Sequence, residues 1–332
     1  MSPSVGLPTA VAADGLDTGI AWHYGDPMRE QRLLETAAGV IDRSNRPVLV
    51  VSGSDRLPWL HSICSQHVSN LSDGQSTEAL VLSPHGHVEQ HWQVTELGGQ
   101  VWLDVEPGTA AEVLGYLQKM RFLKRVEPAD VSADWAVLTV AGPSTVDVLL
   151  AAGLPDPTTR AVALPGGGFV RVTAAGADLI VPRESVPSML EALRAAGAAP
   201  AGMLAVEALR VAARRPRLGL ETDHRTIPHE VGWIGEAVHL DKGCYRGQET
   251  VARVQNLGKP PRRLVLLHLS GDSDEPPPPG TPVELDGRAV GFLGTAAQHY
   301  ELGPIALAVV KRSLPDDAPL SVAGHPVAID AE

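Results

Sequence analysis

Cysteine is nearly absent: Cys64 and Cys244 are the only two in 332 residues, and they stand far apart in the chain. So few thiols exclude a disulfide framework of the kind that staples small secreted scaffolds. The opening residues combine no basic start with an apolar stretch, so no secretory leader is expected and the chain is assigned to the reducing cytosol as a cytoplasmic protein. Apolar runs are strand-sized and broken by charge or glycine, far short of the roughly 18 residues that suggest a span. No membrane is expected as a partner. The phosphate-cradling glycine loop, the Rossmann glycines and the nucleophile elbow are all missing. Positive charge is scarce as well: 27 Lys and Arg face 39 Asp and Glu, for a net charge of −12. Such a chain repels polyphosphate at long range, and no direct nucleic-acid contact is expected.

What is present divides the chain. Its length exceeds that of a single hydrophobic core, so two or three domains are expected. Residues 1–25, rich in Ala, Gly, Pro and Asp without periodicity, read as a mobile tail. A strand at Val48-Leu49-Val50-Val51 leads through Ser52-Gly53 into Leu57, Leu60 and Ile63 at helical spacing. The same unit returns: Val137-Leu138-Thr139-Val140-Ala141-Gly142 falls over the first strand and turn, and Leu149 over Leu60. Hairpin turns follow at Pro84-His85-Gly86 and Gly166-Gly167-Gly168, then helices over 109–120 and 184–197. Thr109 and Glu112 have the spacing of a capping box. The fold class is therefore α+β: a duplicated region over 26–260, with lobes at about 38–127 and 128–260 that are free to interleave. Past Gly258-Lys259-Pro260-Pro261, strands alone are expected, at 263–269, 283–285, 289–297, 305–310 and 326–329, a small β-barrel over 261–332.

The chemistry concentrates in Lys242-Gly243-Cys244-Tyr245-Arg246-Gly247-Gln248-Glu249. Glycines on both sides let the backbone turn around the thiol, and Lys242 and Arg246 favour thiolate over thiol. Spacing alone equally allows a small buried cysteine in a glycine-punctuated interdomain loop. Cations also bunch at Arg210, Arg214, Arg215 and Arg217, and again at Arg253, Lys259, Arg262 and Arg263. These read either as solvated faces or as a place for a small anionic ligand. His85, His87 and His91 alternate along a hairpin but lack the Cys, Asp or Glu of a recognised zinc spacing, so no metal is assigned to them. Cys64 continues the apolar helix and reads as packing.

The octapeptide resembles the signature of the YgfZ family, relatives of the T-protein of glycine cleavage that include a mitochondrial iron–sulfur assembly factor. Asp42, Ser44 and Arg46, then Leu209-Arg210, Pro216-Arg217-Leu218-Gly219, Ile227-Pro228-His229-Glu230 and Val251-Ala252-Arg253 occur in the family's order. The resemblance runs from about residue 38 to the end. It implies a three-domain ring around a channel holding tetrahydrofolate or a related folate, with Arg217, Glu230, Glu249 and Arg253 as the residues set to bind it. It makes Cys244 the functional thiol, accompanied by Lys242, Tyr245, Arg246, Gln248 and Glu249. The implied role is support of iron–sulfur enzymes, tRNA-modifying ones among them, through assembly or client proteins. It is not conventional turnover. One thiol cannot hold a four-cysteine cluster, so Cys244 would be a ligand only to a cluster shared with a partner. Two departures bear on folate. His67, in Gln66-His67-Val68, replaces the aspartate that handles the proton chemistry of aminomethyl-transferring relatives, and it reads as a solvent-facing histidine at a helix end. Ala212 and Arg214 replace a glutamate and a glycine of the relatives' Leu-Arg-x-Glu-Ala-Gly. Glu207, earlier on that helix, is expected to point elsewhere. The alternatives are a folate-dependent aminomethyl or methyl transferase and a non-catalytic partner-binding module.

Overall fold

The computed structural model describes residues 6, 9–271 and 275–330. They form two compact units: Met1–Ile63, His67–Ala79 and Trp92–Ala205 make the first, and Cys64–Gln66, Leu80–His91 and Val206–Glu332 the second.

The first unit opens with structure where composition suggested a tail. Strands β1 (Val11–Ala12) and β2 (Ala21–His23) pair antiparallel around a 3₁₀ turn, and Ala13 N–H donates to Ile20 O at 2.9 Å. Ala13, Ile20 and Ala21 are buried. A few apolar anchors are enough to fix the segment, although Ala, Gly and Asp dominate its composition; residues 1–5, 7 and 8 of the expected tail lie outside the described residues. Helix α1 (Pro27–Thr36) starts cleanly, with Pro27 at its first position and the Asp26 carboxylate accepting from Arg29 N–H at 3.0 Å.

The duplicated elements follow. The first run is β3 (Gly39–Asp42), β4 (Val48–Ser52), α2 (Arg56–Ile63), β5 (Ser76–Leu82), β6 (Val88–Leu97), β7 (Gln100–Val105) and α3 (Ala110–Met120). The second is β8 (Glu127–Asp130), β9 (Trp135–Ala141), α4 (Thr145–Ala151), β10 (Val162–Ala163), β11 (Phe169–Thr173), β12 (Gly176–Pro182) and α5 (Val186–Ala195), closed by β13 (Ala199–Pro200). The sheet orders are β5-β6-β7-β4-β8 and β10-β11-β12-β9-β3-β13. Each sheet thus takes the strand beside its central one from the other run: β8 pairs with β4, and β3 with β9. Neither sheet is built from one continuous segment.

The repeat holds in detail. Gly53 and Gly142, at φ 107° and 117°, end the two central strands, and a Cβ at either would fall 2.2 Å from Arg125 O or 2.4 Å from Ala37 O. Only glycine permits that approach. Two residues on, Asp55 N–H and Ser144 N–H donate to those same carbonyls. Strand β9 is buried on both faces from Ala136 to Val140, which explains its uninterrupted apolar run. Val48 and Val137 meet Phe169 and Ile180 in one core cluster. The capping box at α3 does not form: Thr109 sits in the helical region and its hydroxyl donates back to Glu106 O at 2.8 Å. The second expected helix divides into a 3₁₀ turn at Arg183–Ser185 and α5.

In the second unit, α6 (Met203–Ala212) enters from the first, and α7 (Gln248–Leu257) precedes a closed barrel. The barrel strands are β14 (Arg262–Leu269), β15 (Pro282–Leu285), β16 (Arg288–His299), β17 (Gly303–Lys311), β18 (Leu320–Val322) and β19 (His325–Ile329), in the order β14-β17-β16-β15-β18-β19. β18 was not expected; three residues between turns carry too little period to read. Helix α6 ends in a left-handed residue that is not glycine: Arg214 has φ 53°, and Arg215 N–H returns to Arg210 O at 3.0 Å. The Arg214 side chain lies 3.7 Å from the Asp330 carboxylate.

Candidate functional site

The Lys242–Glu249 loop rests on a bed laid by the short segment Cys64–Gln66. Ser65 exchanges backbone bonds with Leu80 and His239, and its hydroxyl accepts from Leu80 N–H at 2.8 Å while donating to Ala237 O at 2.6 Å. The Gln66 amide donates to Glu236 O at 2.8 Å. Lys242 completes this stitching. Its buried ammonium donates to Cys64 O at 2.5 Å and Gln66 O at 3.2 Å. Burial pushes the Lys242 pKa down, opposed by Cys64. Burial pushes the Cys64 thiol up, opposed by Lys242, and the thiol donates to Gln66 O at 3.6 Å.

Beyond Lys242 the chain alternates outward and inward. Cys244 is exposed. Tyr245 is 8% exposed and enters an apolar cluster with Leu80, Leu82, Trp233 and Val251. The Lys242 ammonium lies 4.9 Å from the centre of its ring. The Tyr245 hydroxyl has no hydrogen-bond partner among the described residues, and burial, with Cys64 nearby, pushes its pKa up to about 12. Arg246 points to the surface and pairs with Glu89 at 2.8 Å. Gly247 has φ 83°, and a Cβ there would sit 2.6 Å from Ser83 O and 2.9 Å from Gly86 Cα, so the hairpin turn and the loop touch backbone to backbone. Gln248 opens α7 and its amide reaches back to Lys242 O at 3.2 Å. Glu249 and Arg253 lie exposed on the first turns of that helix.

The structure therefore joins Lys242, Tyr245 and Gln248 as anchors of a loop that presents Cys244. It corrects how the cations act. Lys242 serves the carbonyls of residues 64 and 66, and Arg246 faces a carboxylate, so the electropositive setting expected for Cys244 is directed elsewhere. The need for glycine falls on Gly247 rather than on Gly243, which has open space around it and no left-handed φ.

Two of the four residues expected to hold folate are committed internally. Glu230 takes both Arg262 nitrogens, at 2.8 and 2.7 Å, and accepts from Ile227 N–H at 3.1 Å. Arg262 also grips Asp223; burial would raise that carboxyl, but the Arg262 bonds hold it well below the usual carboxylate range. Arg217 is buried, donating to Glu207 at 3.3 Å and, through its backbone N–H, to Glu221 at 2.8 Å. Arg210 bonds the same two carboxylates. This nest of Glu207, Arg210, Arg217 and Glu221 replaces the solvated face suggested by the arginine run. Sequence signals missed Glu221 and the partners of Glu207, because partners contributed by an irregular loop leave no period to read. Ala212 packs against an apolar cluster that includes Ala208, Val211, Leu266 and Ile305, and offers no acceptor. Of the two carboxylates expected at a pterin, Glu230 is thus taken by Arg262, and Glu249 lies exposed.

The histidines also differ from expectation. Helix α2 ends at Ile63, so His67 is not its last residue; it is half-buried, edge-on to His61 with ring centres 4.6 Å apart and Nε2 3.1 Å from Ser69 Oγ. His91 stacks on Trp233 at 4.9 Å. Among the described residues, no three His, Cys, Asp or Glu side chains are placed to hold a metal ion, and no helix is long and apolar enough to cross a membrane.

Against known proteins, the model of the GCVT N-terminal domain matches residues 20–242, and that of the CAF17 C-terminal beta-barrel domain matches residues 262–331. Residues 243–261, with Cys244 and α7, fall between the two matches. A chloroplastic protein of Arabidopsis thaliana, provisionally named a transferase, is 27% identical over 284 residues, covering 80% of this chain and 65% of that protein. This chain spans just under two thirds of that relative. The aminomethyltransferase of Symbiobacterium thermophilum is 28% identical over 311 residues, 86% of this chain and 82% of its own. The crystal structure of the glycine cleavage system aminomethyltransferase T from Bartonella henselae superposes with a TM-score of 0.85 at 18% identity, covering 97% of this chain and 93% of that one.

Proposed function

The chain belongs to the T-protein-like, folate-binding family that joins a GCVT N-terminal domain to a CAF17 C-terminal β-barrel, and we propose that it is an accessory protein for iron–sulfur cluster assembly or repair whose working group is the Cys244 thiol. One observation carries this reading. The loop is fixed on both sides of Cys244, by the buried Lys242 ammonium before it and by Tyr245, Gly247 and Gln248 after it, while the thiol itself is left exposed. A cysteine needed only for packing has no use for such a mount. The sulfur is available to accept or share a cluster with ligands from a partner, or to react as a nucleophile. No step is routed through folate, since Glu230 is committed to Arg262 and Glu249 lies exposed. Cells lacking the protein, supplied with Cys244→Ser, test the reading: activity of a cluster-dependent enzyme should fail to recover although the variant unfolds at the native temperature. Full recovery would sink it.

A second reading is folate-dependent aminomethyl transfer, supported by the likeness to aminomethyltransferases. Against it stands His67 in place of the proton-handling aspartate. Calorimetric titration with tetrahydrofolate, followed by assay of aminomethyl transfer, separates the two.

A further inference from the structure

The barrel carries a depression that shares no residue with the Lys242–Glu249 loop. The chain enters β14 through residues 259–263 and leaves β17 through residues 312–316, and these stretches run side by side: Arg262 is paired with Lys311, and Arg312 N–H donates to Pro261 O at 2.9 Å. Between them lies a shallow depression of about 670 Å³, broadly open to solvent. Its walls are of two kinds. Pro261, Leu314 and Pro315 give rigid apolar surface, and two of the three are prolines with no N–H to satisfy. Lys259, Arg263 and Arg312 supply positive charge. Arg263 is held in place, donating to Leu314 O at 3.1 Å and pairing with Asp316, the one carboxylate of the lining. Lys259 and Arg312 are exposed and form no ion pair among the described residues.

We propose that this depression binds a small organic oxyanion with an apolar body, its head between Lys259 and Arg312 and its body over Pro261, Leu314 and Pro315. A guanidinium presents paired donors that match phosphate or carboxylate oxygens. In a chain of net charge −12, two unpaired cations beside an apolar surface form a local exception that concentrates anions. The apolar wall selects, because a bare inorganic ion gains nothing from it.

The full-length protein, titrated while amide NMR signals are followed, decides the matter with three probes: phenyl phosphate for head and body, inorganic phosphate for the head, and benzyl alcohol for the body. Phenyl phosphate should saturate one site, with shifts centred on Arg263, Arg312, Ser313 and Asp316, at least tenfold more tightly than either of the others, and should weaken as salt rises. The double variant Lys259→Glu/Arg312→Glu should lose that binding tenfold or more, whereas Cys244→Ser should retain it. Should charge reversal disturb folding, Arg312→Gln alone should still weaken binding severalfold at native thermal stability. Equal affinity for phenyl phosphate and inorganic phosphate, scattered shifts without saturation, or undiminished binding by the variants each overturn the proposal.

Discussion

The two cysteines occupy opposite environments, and the lysine written beside one serves the other. Cys244 is exposed on a loop, whereas Cys64 is 2% exposed, with its carbonyl taken by Lys242. Two residues of separation put Lys242 next to Cys244 in sequence, yet its side chain turns to a segment that the fold brings in from far upstream. A cation near a thiol in sequence is thus no measure of the field at the sulfur. What Lys242 supplies is a fixed loop, and what remains at Cys244 is access.

The widest separation of the two sites should come from serine substitutions. Cys244→Ser should abolish complementation in an iron–sulfur-dependent growth assay and leave the unfolding temperature within about a degree of native. Cys64→Ser should keep complementation but cost roughly 1–3 kcal/mol in denaturant unfolding, as a hydroxyl with altered bonding replaces a buried thiol. The opposite pattern would reverse the comparison. Alkylation sharpens it: native protein should take up one equivalent of iodoacetamide at Cys244, with Cys64 slower by at least about a thousandfold, since it reacts only when the fold opens. Comparable rates at both sites would show that the bed of the loop opens readily.

Smaller effects distinguish the loop's cations. Lys242→Met strips the donor from two buried carbonyls and should cost about 1–3 kcal/mol by denaturant unfolding. Arg246→Ala breaks only a surface pair and should cost under about 0.5 kcal/mol while leaving the rate of Cys244 alkylation unchanged. Equal losses would mean that Lys242 is no anchor. The smallest effect concerns Tyr245. Its folded pKa is raised to about 12 against an ordinary value near 10, so its contribution to stability is complete below about pH 10 and lost as pH rises toward 12. Cys64, also raised, loses its contribution above about pH 8.5. Lys242, lowered, behaves in the opposite sense, its contribution present above the ordinary lysine value and lost as pH falls through the folded one. Because those two oppose each other, Tyr245 gives the clean readout. Absorbance at alkaline pH should show one late tyrosine that disappears in Tyr245→Phe, and that variant should match or exceed native stability by up to about 1 kcal/mol, as the hydroxyl has no partner. A marked loss of stability would reveal a bond to that hydroxyl.

Much of this fold could be read from period and punctuation. The strand ending at Gly53 and its copy ending at Gly142, the helices after them and five of the six barrel strands follow from local pattern, because burial of one face imposes spacing on the chain. Pairing did not follow. That β3 lies beside β9 and β8 beside β4 depends on which backbone edge is vacant in the folded unit, and apolar alternation is silent on that. The site divides likewise. Cys244 and its glycines stood out, but the direction of Lys242, the capture of Glu230 by Arg262 and the nest around Glu221 are long-range choices among charged side chains with several possible partners.

The exchanged strands also govern how this protein can be made. As the nascent chain leaves the ribosome, Gly39 emerges long before Ala141, the residue it will pair with, and β4 must wait for Glu127–Asp130 before its second edge is covered. Until then both present unpaired backbone, the condition under which one newborn chain adds to another. A break placed between β4 and β8 leaves neither sheet with its full set of strands in one fragment, so the two runs are bound to mature as one.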